Sequence, residues 1–452
     1  MSLHEECGIF GIYDAKGDCA RSTYYGLYAL QHRGEEDCGI ATNNDLELSC
    51  HKGSGLVGDV FSESILSELG GTMAIGHVRY AMTGSTRFEN AQPLTLKYIK
   101  GSLAVAHNGS LINSAELKRE YEYKGAVFHT TTDSEIIAYI IAQARLRCDS
   151  IEEAVCQAMK QLKGASSLVV MSSRKLIAAR DPWGFRPLCI GKKGDSIIFA
   201  SETCALDSIE ATFVRDVVPG EVVWVYDGNL HSNRENCTGH SNLCIFEHLY
   251  FARPDSILDG QSVYDARILA GRYLAREYPI DGEVVIGVPD TGLVAAKGYS
   301  LETGIPYNDG FIKNRYIGRT FIKPEQSSRE EAVKIKLNPL RATVSGKKVI
   351  MVDDSIVRGT TTSSIIKLLR GDGAKEVHVL ISSPKFISPC YFGTDIPSKE
   401  FLIACHHTTE EMRKIIGADS LGFLSLDNLS KITPNSKCSF CDACFTEKYP
   451  VS

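Results

Sequence analysis

The 452-residue chain lacks any excess of basic charge: 49 Lys and Arg stand against 55 Asp and Glu, a formal net charge of −6. A protein that grips nucleic acid through its phosphates needs the opposite balance, so that class is excluded. No apolar run reaches the length of a bilayer span, which excludes membrane-spanning helices. The first residues, Met1-Ser2-Leu3-His4-Glu5-Glu6, hold neither a basic stretch nor an apolar core, and no secretory signal is expected. Repeats with a period of roughly 20–50 residues and low-complexity tracts are also missing, which excludes solenoids and disordered arrays. What is present is ordinary globular composition, 43% hydrophobic and 23% charged, in a chain long enough for roughly two to four domains. It also has 15 cysteines. An odd number without an export signal points to a reducing, cytoplasmic setting, where cysteines serve packing, metal binding or catalysis rather than disulfides.

The chain changes rhythm near its middle. To about Val225, short β-like runs are broken by glycine: Cys7–Tyr13, Met73–Arg79, Leu103–His107, Ser167–Met171 and Val222–Tyr226. Between them, Ser22–Leu30, Ser134–Arg147 and Ile151–Leu162 read as helices. This mixture predicts an α+β domain with largely antiparallel sheets. Polar residues Asp227–Asn242 predict a linker, with a domain boundary near residue 240. Beyond it, Glu283–Val288, a Pro-Asp-Thr-Gly turn and a helix over Leu293–Glu302 give strand–loop–helix. The pattern recurs at Lys347–Val352, a polar loop, a helix over Thr361–Arg370 and a strand over Glu376–Ser382. Such βαβ units predict a parallel sheet with ligands beyond its carboxyl edge.

At that edge the strand ending in Val352 runs into two carboxylates, Asp353 and Asp354, and Gly359-Thr360-Thr361 opens the next helix. Backbone N–H groups at a helix start, with small hydroxyl side chains, suit an anion. The paired acids suit sugar hydroxyls or magnesium; the plainer reading is a capped helix whose acids favour its dipole. The run Val349–Thr361 resembles the signature of the type I phosphoribosyltransferases. The resemblance implies that Asp353 and Asp354 hold the ribose hydroxyls of phosphoribosyl pyrophosphate. It implies that Ser355, Ile356, Val357, Arg358, Gly359, Thr360 and Thr361 cradle the 5-phosphate. Val288-Pro289-Asp290-Thr291-Gly292 is similar to the family's pyrophosphate loop, which places Thr291 with Asp353 and Asp354 at a Mg2+ ion. Asn314–Ile322 resembles the lid of the glutamine amidotransferases of purine synthesis, with Arg315 and Arg319 closing over the polyanion.

Cys7 begins a glycine-spaced apolar strand. By itself such a residue is more often a small buried hydrophobe than a nucleophile. However, Gln31–Gly34, Gly76–Tyr80, Ala106–Gly109, Thr132-Asp133 and Arg180–Pro187 together resemble the class II glutamine amidotransferase domain, of four-layer N-terminal-nucleophile fold. The resemblance implies that Met1–Glu6 are a propeptide, and that Cys7, once N-terminal, attacks glutamine with its own α-amine as base. It implies that Arg79 takes the glutamine α-carboxylate and Asp133 its α-ammonium. The Asn108 side chain and Gly109 N–H would form the oxyanion hole. Arg33 would shape the glutamine pocket and support the amine. His77 and His107 are expected to be ordered, hydrogen-bonded residues and not general bases.

Cys438, Cys441 and Cys444 look like the start of a ferredoxin run without its last member. A complete site needs distant ligands, and Cys244 and Cys390 are available. The iron–sulfur branch of the amidophosphoribosyltransferase family is similar here, which implies a [4Fe-4S] cluster on Cys244, Cys390, Cys441 and Cys444. A four-cysteine zinc site is the alternative, since thiolates suit both, and Cys438 is the alternative ligand.

The motifs run in order through nearly the whole chain. They imply a glutaminase domain over residues 7–240 and an α/β phosphoribosyltransferase domain over 241–452. The implied reaction is glutamine-dependent amination of phosphoribosyl pyrophosphate, opening purine synthesis. Family members are homo-oligomers, so a homotetramer or homodimer inhibited by purine nucleotides is implied, with no nucleic-acid or membrane partner. Other readings are a non-catalytic phosphoribosyl-pyrophosphate-binding regulator, an iron–sulfur sensor, and a paralogue amidating another sugar phosphate. The first would want a basic winged-helix domain, which this chain does not have.

Overall fold

The computed structural model describes residues 7–44, 47–80, 88–314, 337–396 and 398–451. The expected propeptide and lid arginines, Arg315 and Arg319, lie outside the described residues.

In the first half the apolar runs become antiparallel strands. They are β1 (Gly8–Tyr13), β2 (Asp37–Asn44), β3 (Glu47–Ser54), β4 (Met73–Arg79), β5 (Leu94–Tyr98), β6 (Gly101–Asn108), β7 (Ser167–Ser172) and β8 (Leu176–Arg180). They continue with β9 (Cys189–Lys193), β10 (Ser196–Ala200), β11 (Thr212–Asp216), β12 (Val222–Tyr226) and β13 (Asn229–Asn233). One sheet has the order β11-β9-β10-β1-β4-β2-β3, the other β13-β12-β8-β7-β6-β5. β1 and β4 are buried along nearly their whole length, because both faces of their sheet are covered. One face meets the other sheet through Ile9, Ile75, Ala104, Ala106 and Val169. The approach is close at Gly11, where a Cβ would stand 2.6 Å from Val169 Cγ1. The opposite face is covered by α1 (Cys19–Ala29), which Asp18 caps through the Arg21 N–H. The second sheet carries α2 (Asp133–Arg145) and α3 (Ile151–Met159). The layers are therefore helix, sheet, sheet and helix.

The sequence-predicted linker is partly wrong. Asn229–Asn233 is the edge strand β13, paired with β12 from Val222↔Asn233 to Tyr226↔Asn229. It is exposed and polar, as edge strands are when they avoid further pairing, and so it reads as loop.

The chain then forms β14 (Asn242–Cys244), the short hairpin of β15 (Ile257–Leu258) and β16 (Gln261–Ser262), and α4 (Val263–Glu277). After these come β17 (Val284–Gly287), α5 (Gly292–Thr303), the pair β18 (Phe311–Lys313) and β19 (Leu337–Pro339), and β20 (Lys348–Asp353). α6 (Thr360–Gly371), β21 (Glu376–Ile381), β22 (Ser420–Phe423) and β23 (Ser439–Cys441) complete the described strands and main helices. A parallel sheet has the order β17-β20-β21-β22. Alternate residues feed opposite cores: Val285, Ile350 and Val352 face α4 and α5, while Val284, Ile286, Val349 and Met351 face α6. This is the two-sided burial that parallel sheets require. The C-terminal segment returns to the start of this half, where β23 lies parallel to β14 with Cys244 beside Cys441. Among the described residues, no helix is long and apolar enough to cross a membrane.

Candidate active sites

Antiparallel pairing of β1 and β4 brings the start of one to the end of the other, with Gly8 opposite Val78. Cys7 and Arg79 therefore meet at one end of the sandwich. The second sheet presents the end of β6 there, because His77 Nε2 on β4 donates to His107 O on β6 at 3.1 Å. Asn108 and Gly109 follow at once. Asp133 joins them from the first turn of α2, its carboxylate accepting the Leu111 N–H at 2.7 Å. Cys7, Arg79, Asn108, Gly109 and Asp133 thus share one end of the fold.

The Asn108 side chain is fully buried, and among the described residues neither its amide nitrogen nor its oxygen has a hydrogen-bond partner. Leaving both unmade costs free energy unless something else binds there. Gly109 has φ +139°, and a Cβ on it would lie 2.2 Å from Ala165 O. Only glycine fits there.

Arg79 Nη1 donates to Asp37 at 2.5 Å, with both side chains buried. Asp37, which sequence reasoning missed, orients the guanidinium. Its signal was one acid among Glu35, Glu36 and Asp37, which nothing in the sequence separates. Cys7 Sγ lies 3.8 Å from Tyr80 O. His77 and His107 are both buried. Desolvation drives the His77 pKa down to about 3 and also lowers that of His107, so both are neutral near pH 7.

Arg33 is fully buried, with Nε on Cys7 O (3.1 Å), Nη1 on Glu202 (2.6 Å) and a two-pronged contact with Glu247 (2.9 and 3.0 Å). Most of its donors are engaged within the protein, one of them on the backbone of Cys7. The acids that fix it come from distant positions with no local motif.

At the carboxyl edge of the parallel sheet, Asp353 ends β20 and Asp354 follows; both are buried. Asp353 Oδ1 accepts the Asp354 N–H at 2.9 Å. Asp354 accepts Thr291 Oγ1 at 2.5 Å and the Ser355 hydroxyl. Burial and mutual repulsion push the Asp353 pKa well up, and burial raises that of Asp354. Two adjacent buried acids with hydroxyl neighbours form an all-oxygen set suited to a hard cation or to sugar hydroxyls. The Pro-Asp-Thr-Gly loop is pressed against β20, where a Cβ on Gly292 would meet Val352 O at 2.5 Å. Gly359, at φ +78°, is the N-cap of α6, so the helix start with its N–H groups follows directly.

The cradle needs one correction. Ile356 and Val357 are buried, their side chains packed in the two cores flanking the sheet. Their share in binding an anion is limited to backbone. Arg358 stacks on Phe401, 4.0 Å from the ring centre.

Cys244, Cys390, Cys441 and Cys444 line one cavity with Phe185, Arg186 and Tyr449. Phe185 from the first half stacks on Phe392 from the second, with ring centres 4.1 Å apart. Among the described residues, no three or more His, Cys, Asp or Glu side chains form a group that could hold a metal ion. Cys438 lies apart, its sulfur 3.1 Å from Ser436 Oγ, packed with Leu243 and Leu258.

Comparison with known proteins agrees with both halves. Residues 77–208 match the family model for a glutamine amidotransferase domain, and 255–385 that for a phosphoribosyl transferase domain. An amidophosphoribosyltransferase of Methanocaldococcus jannaschii is 48% identical over 461 residues, covering 98% of each chain. One from Bacillus subtilis is 47% identical, covering 99% of this chain and 95% of its own. The solved glutamine phosphoribosylpyrophosphate amidotransferase of B. subtilis, complexed with ADP and GMP, superposes with a TM-score of 0.91. It is 46% identical, covering 99% of this chain and 98% of its own. A structure described as the allosteric regulatory enzyme of purine biosynthesis gives a TM-score of 0.92 at 46% identity, covering 99% and 96%.

Proposed function

This chain belongs to the amidophosphoribosyltransferase family, and from that premise we propose how its own residues divide the family's glutamine-dependent amination of phosphoribosyl pyrophosphate. Residues 7–240 form the glutaminase domain and 241–452 the phosphoribosyltransferase domain, after removal of propeptide 1–6. Freed as the N-terminal residue, Cys7 attacks the glutamine amide, its α-amine taking the thiol proton. Arg79, steadied by Asp37, holds the substrate carboxylate, and Asp133 its ammonium. The oxyanion forms against the Asn108 amide and Gly109 N–H, releasing ammonia and leaving a thioester for water to hydrolyse. At the second site Asp353 and Asp354 hold the ribose hydroxyls, and the 355–361 backbone and hydroxyls hold the 5-phosphate. Arg315 and Arg319 would supply positive charge for the polyanion. Ammonia displaces pyrophosphate from C1, giving 5-phosphoribosylamine. Thr291, Asp353 and Asp354 would hold Mg2+, which neutralises charge on the leaving pyrophosphate. A protected internal passage matters because free ammonia is mostly protonated at neutral pH and not nucleophilic.

The observation that carries this reading is Asn108, a buried amide with no partner among the described residues, followed by a glycine that tolerates no side chain. Asn108→Ala is expected to lower kcat with glutamine by about 10²–10³-fold. The thermal midpoint should not fall, since no protein hydrogen bond is lost; unchanged turnover would remove Asn108 from the site. The function itself is tested by pyrophosphate release from phosphoribosyl pyrophosphate with Mg2+, supported by glutamine or by ammonium salts. No release with either overturns it.

For the four cysteines the reading is a structural [4Fe-4S] cluster. What supports it is that the four line one cavity and that thiolates are the ligands such a cluster takes. Anaerobic preparations are expected to carry about four iron and four sulfide per chain with broad visible absorption. Cys390→Ser should lose both, and stoichiometric zinc without iron would contradict the assignment. Purine nucleotides as inhibitors, a homotetramer or homodimer and a cytoplasmic setting complete the proposal. The nucleotide complex of the Bacillus relative supports the first.

A further inference from the structure

Glu247 belongs to the second half of the chain, three residues after Cys244, and opens the short π-helical segment Glu247–Phe251. Such segments are uncommon and concentrate at functional sites. Its side chain is fully buried. One carboxylate oxygen accepts Arg33 Nη2 at 2.9 Å and Arg186 Nη1 at 3.3 Å; the other accepts Arg33 Nη1 at 3.0 Å. A planar guanidinium gripped by both terminal nitrogens has its orientation fixed. That orientation aims Nε–H at Cys7 O, 3.1 Å away. The Arg33 stem runs beside the same strand start, where a Cβ on Gly8 would lie 3.4 Å from Arg33 Cδ.

The other acid on Arg33 is held from the same side. Glu202 accepts the Arg253 N–H at 2.9 Å and Ser256 Oγ at 2.6 Å, both from the second half, as well as His32 Nε2 at 2.8 Å. Arg186 continues the network to Phe392 O at 2.8 Å, beside the cysteine cavity. Arg33, Glu202, Glu247 and Arg186 are all fully buried. Buried charges can be kept only when paired. The first half alone supplies Arg33 without the carboxylate that orients it.

We infer that Glu247 is a positioning residue for Cys7, supplied by the transferase half to the glutaminase site through Arg33. It touches no reacting atom. Without it, Arg33 keeps Glu202 on one nitrogen but loses the two-pronged grip, and the carbonyl of Cys7 loses its fixed donor. A nucleophile displaced by about an ångström loses on the order of 10²-fold in rate, while glutamine binding through Arg79 and Asp133 is untouched. Glutamine hydrolysis therefore requires both halves in their native arrangement, even though the hydrolytic residues lie in one.

This inference rests on Cys7 being the nucleophile, and its test separates the two. Full-length, anaerobically prepared Glu247→Gln and Glu247→Asp proteins are assayed for pyrophosphate release with glutamine and with ammonium salts, beside Cys7→Ala. Glu247→Gln keeps the shape and loses the charge; Glu247→Asp keeps the charge on a stem too short for the grip. For Glu247→Gln, kcat with glutamine should fall about tenfold or more, with KM for glutamine and the ammonium-supported rate both within about twofold. Glu247→Asp should show the same split, less severely, and decides the matter if Glu247→Gln fails to fold. Equal loss with both nitrogen sources would make Glu247 merely structural, and no loss with glutamine would remove its role; either overturns the inference. If Cys7→Ala itself still uses glutamine, the nucleophile assignment falls instead.

Discussion

Cys7→Ala is expected to reduce glutamine-supported amination by about 10³-fold or more, the scale on which a lost nucleophile is felt. Ammonium-supported amination should stay within about twofold of the parent, because the second site meets ammonia as such. The split is what the geometry requires. Cys7 lies at the end of the sandwich shared by Arg79, Asp133, Asn108 and Gly109, remote in sequence from the Asp353–Asp354 turn. Among its contacts, Sγ faces Tyr80 O at 3.8 Å and the carbonyl accepts Arg33. Alanine keeps the backbone contact to Arg33, and the ammonium-supported rate reports whether the fold is preserved. The measurement is pyrophosphate release with each nitrogen source. Parallel loss in both would mean that Cys7 holds the fold together, and retained glutamine use would mean another nucleophile.

The second large effect belongs to Asp353. Asp353→Asn is expected to lower kcat/KM for phosphoribosyl pyrophosphate by about 10²-fold, equally with glutamine and with ammonium. That loss is in the range of several charge-assisted hydrogen bonds to one ligand. The asparagine oxygen can still accept the Asp354 N–H now held at 2.9 Å, so the turn survives. The exchange also removes a charge that burial and Asp354 both penalise, so the unfolding temperature should not fall. Activity and stability then move apart, as they do where a site keeps an unfavourable charge for its ligand. Steady-state kinetics with the two nitrogen sources, alongside thermal unfolding, check both halves of the statement. A loss confined to glutamine, or a fall in stability matching the loss of activity, would contradict it.

The sequence was most readable where one local cause dominates. β4, β12 and β20 are apolar runs that only a buried strand accommodates, and their positions follow from composition alone. The strand β13 was not readable, because an exposed edge needs no apolar residue and Asn229–Asn233 has the chemistry of a loop. Ile356 and Val357 show a subtler limit. A run can approach a ligand with its backbone while its side chains point into the cores, and sequence order does not separate the two.

Arg33 shows the largest gap. Its motif marked it as important, but its partners Glu202 and Glu247 stand 169 and 214 positions away. Acids of that kind are common, and only the fold selects these two. Cys244 and Cys441 are similar: two three-residue strands bring them level, and neither strand announces its partner. Motifs therefore gave the chemistry, while the charges that hold the chemistry in place came from long-range packing.

The central claim is that both sites act in one reaction, with nitrogen released at Cys7 consumed beyond Asp353. The most direct measurement counts glutamate and pyrophosphate in the same vessel, using the anaerobically prepared chain with glutamine, phosphoribosyl pyrophosphate and Mg2+. The account predicts equal amounts, with both products falling together when either substrate is withheld. Pyrophosphate that forms without glutamate, or glutamate with no pyrophosphate beside it, would contradict it.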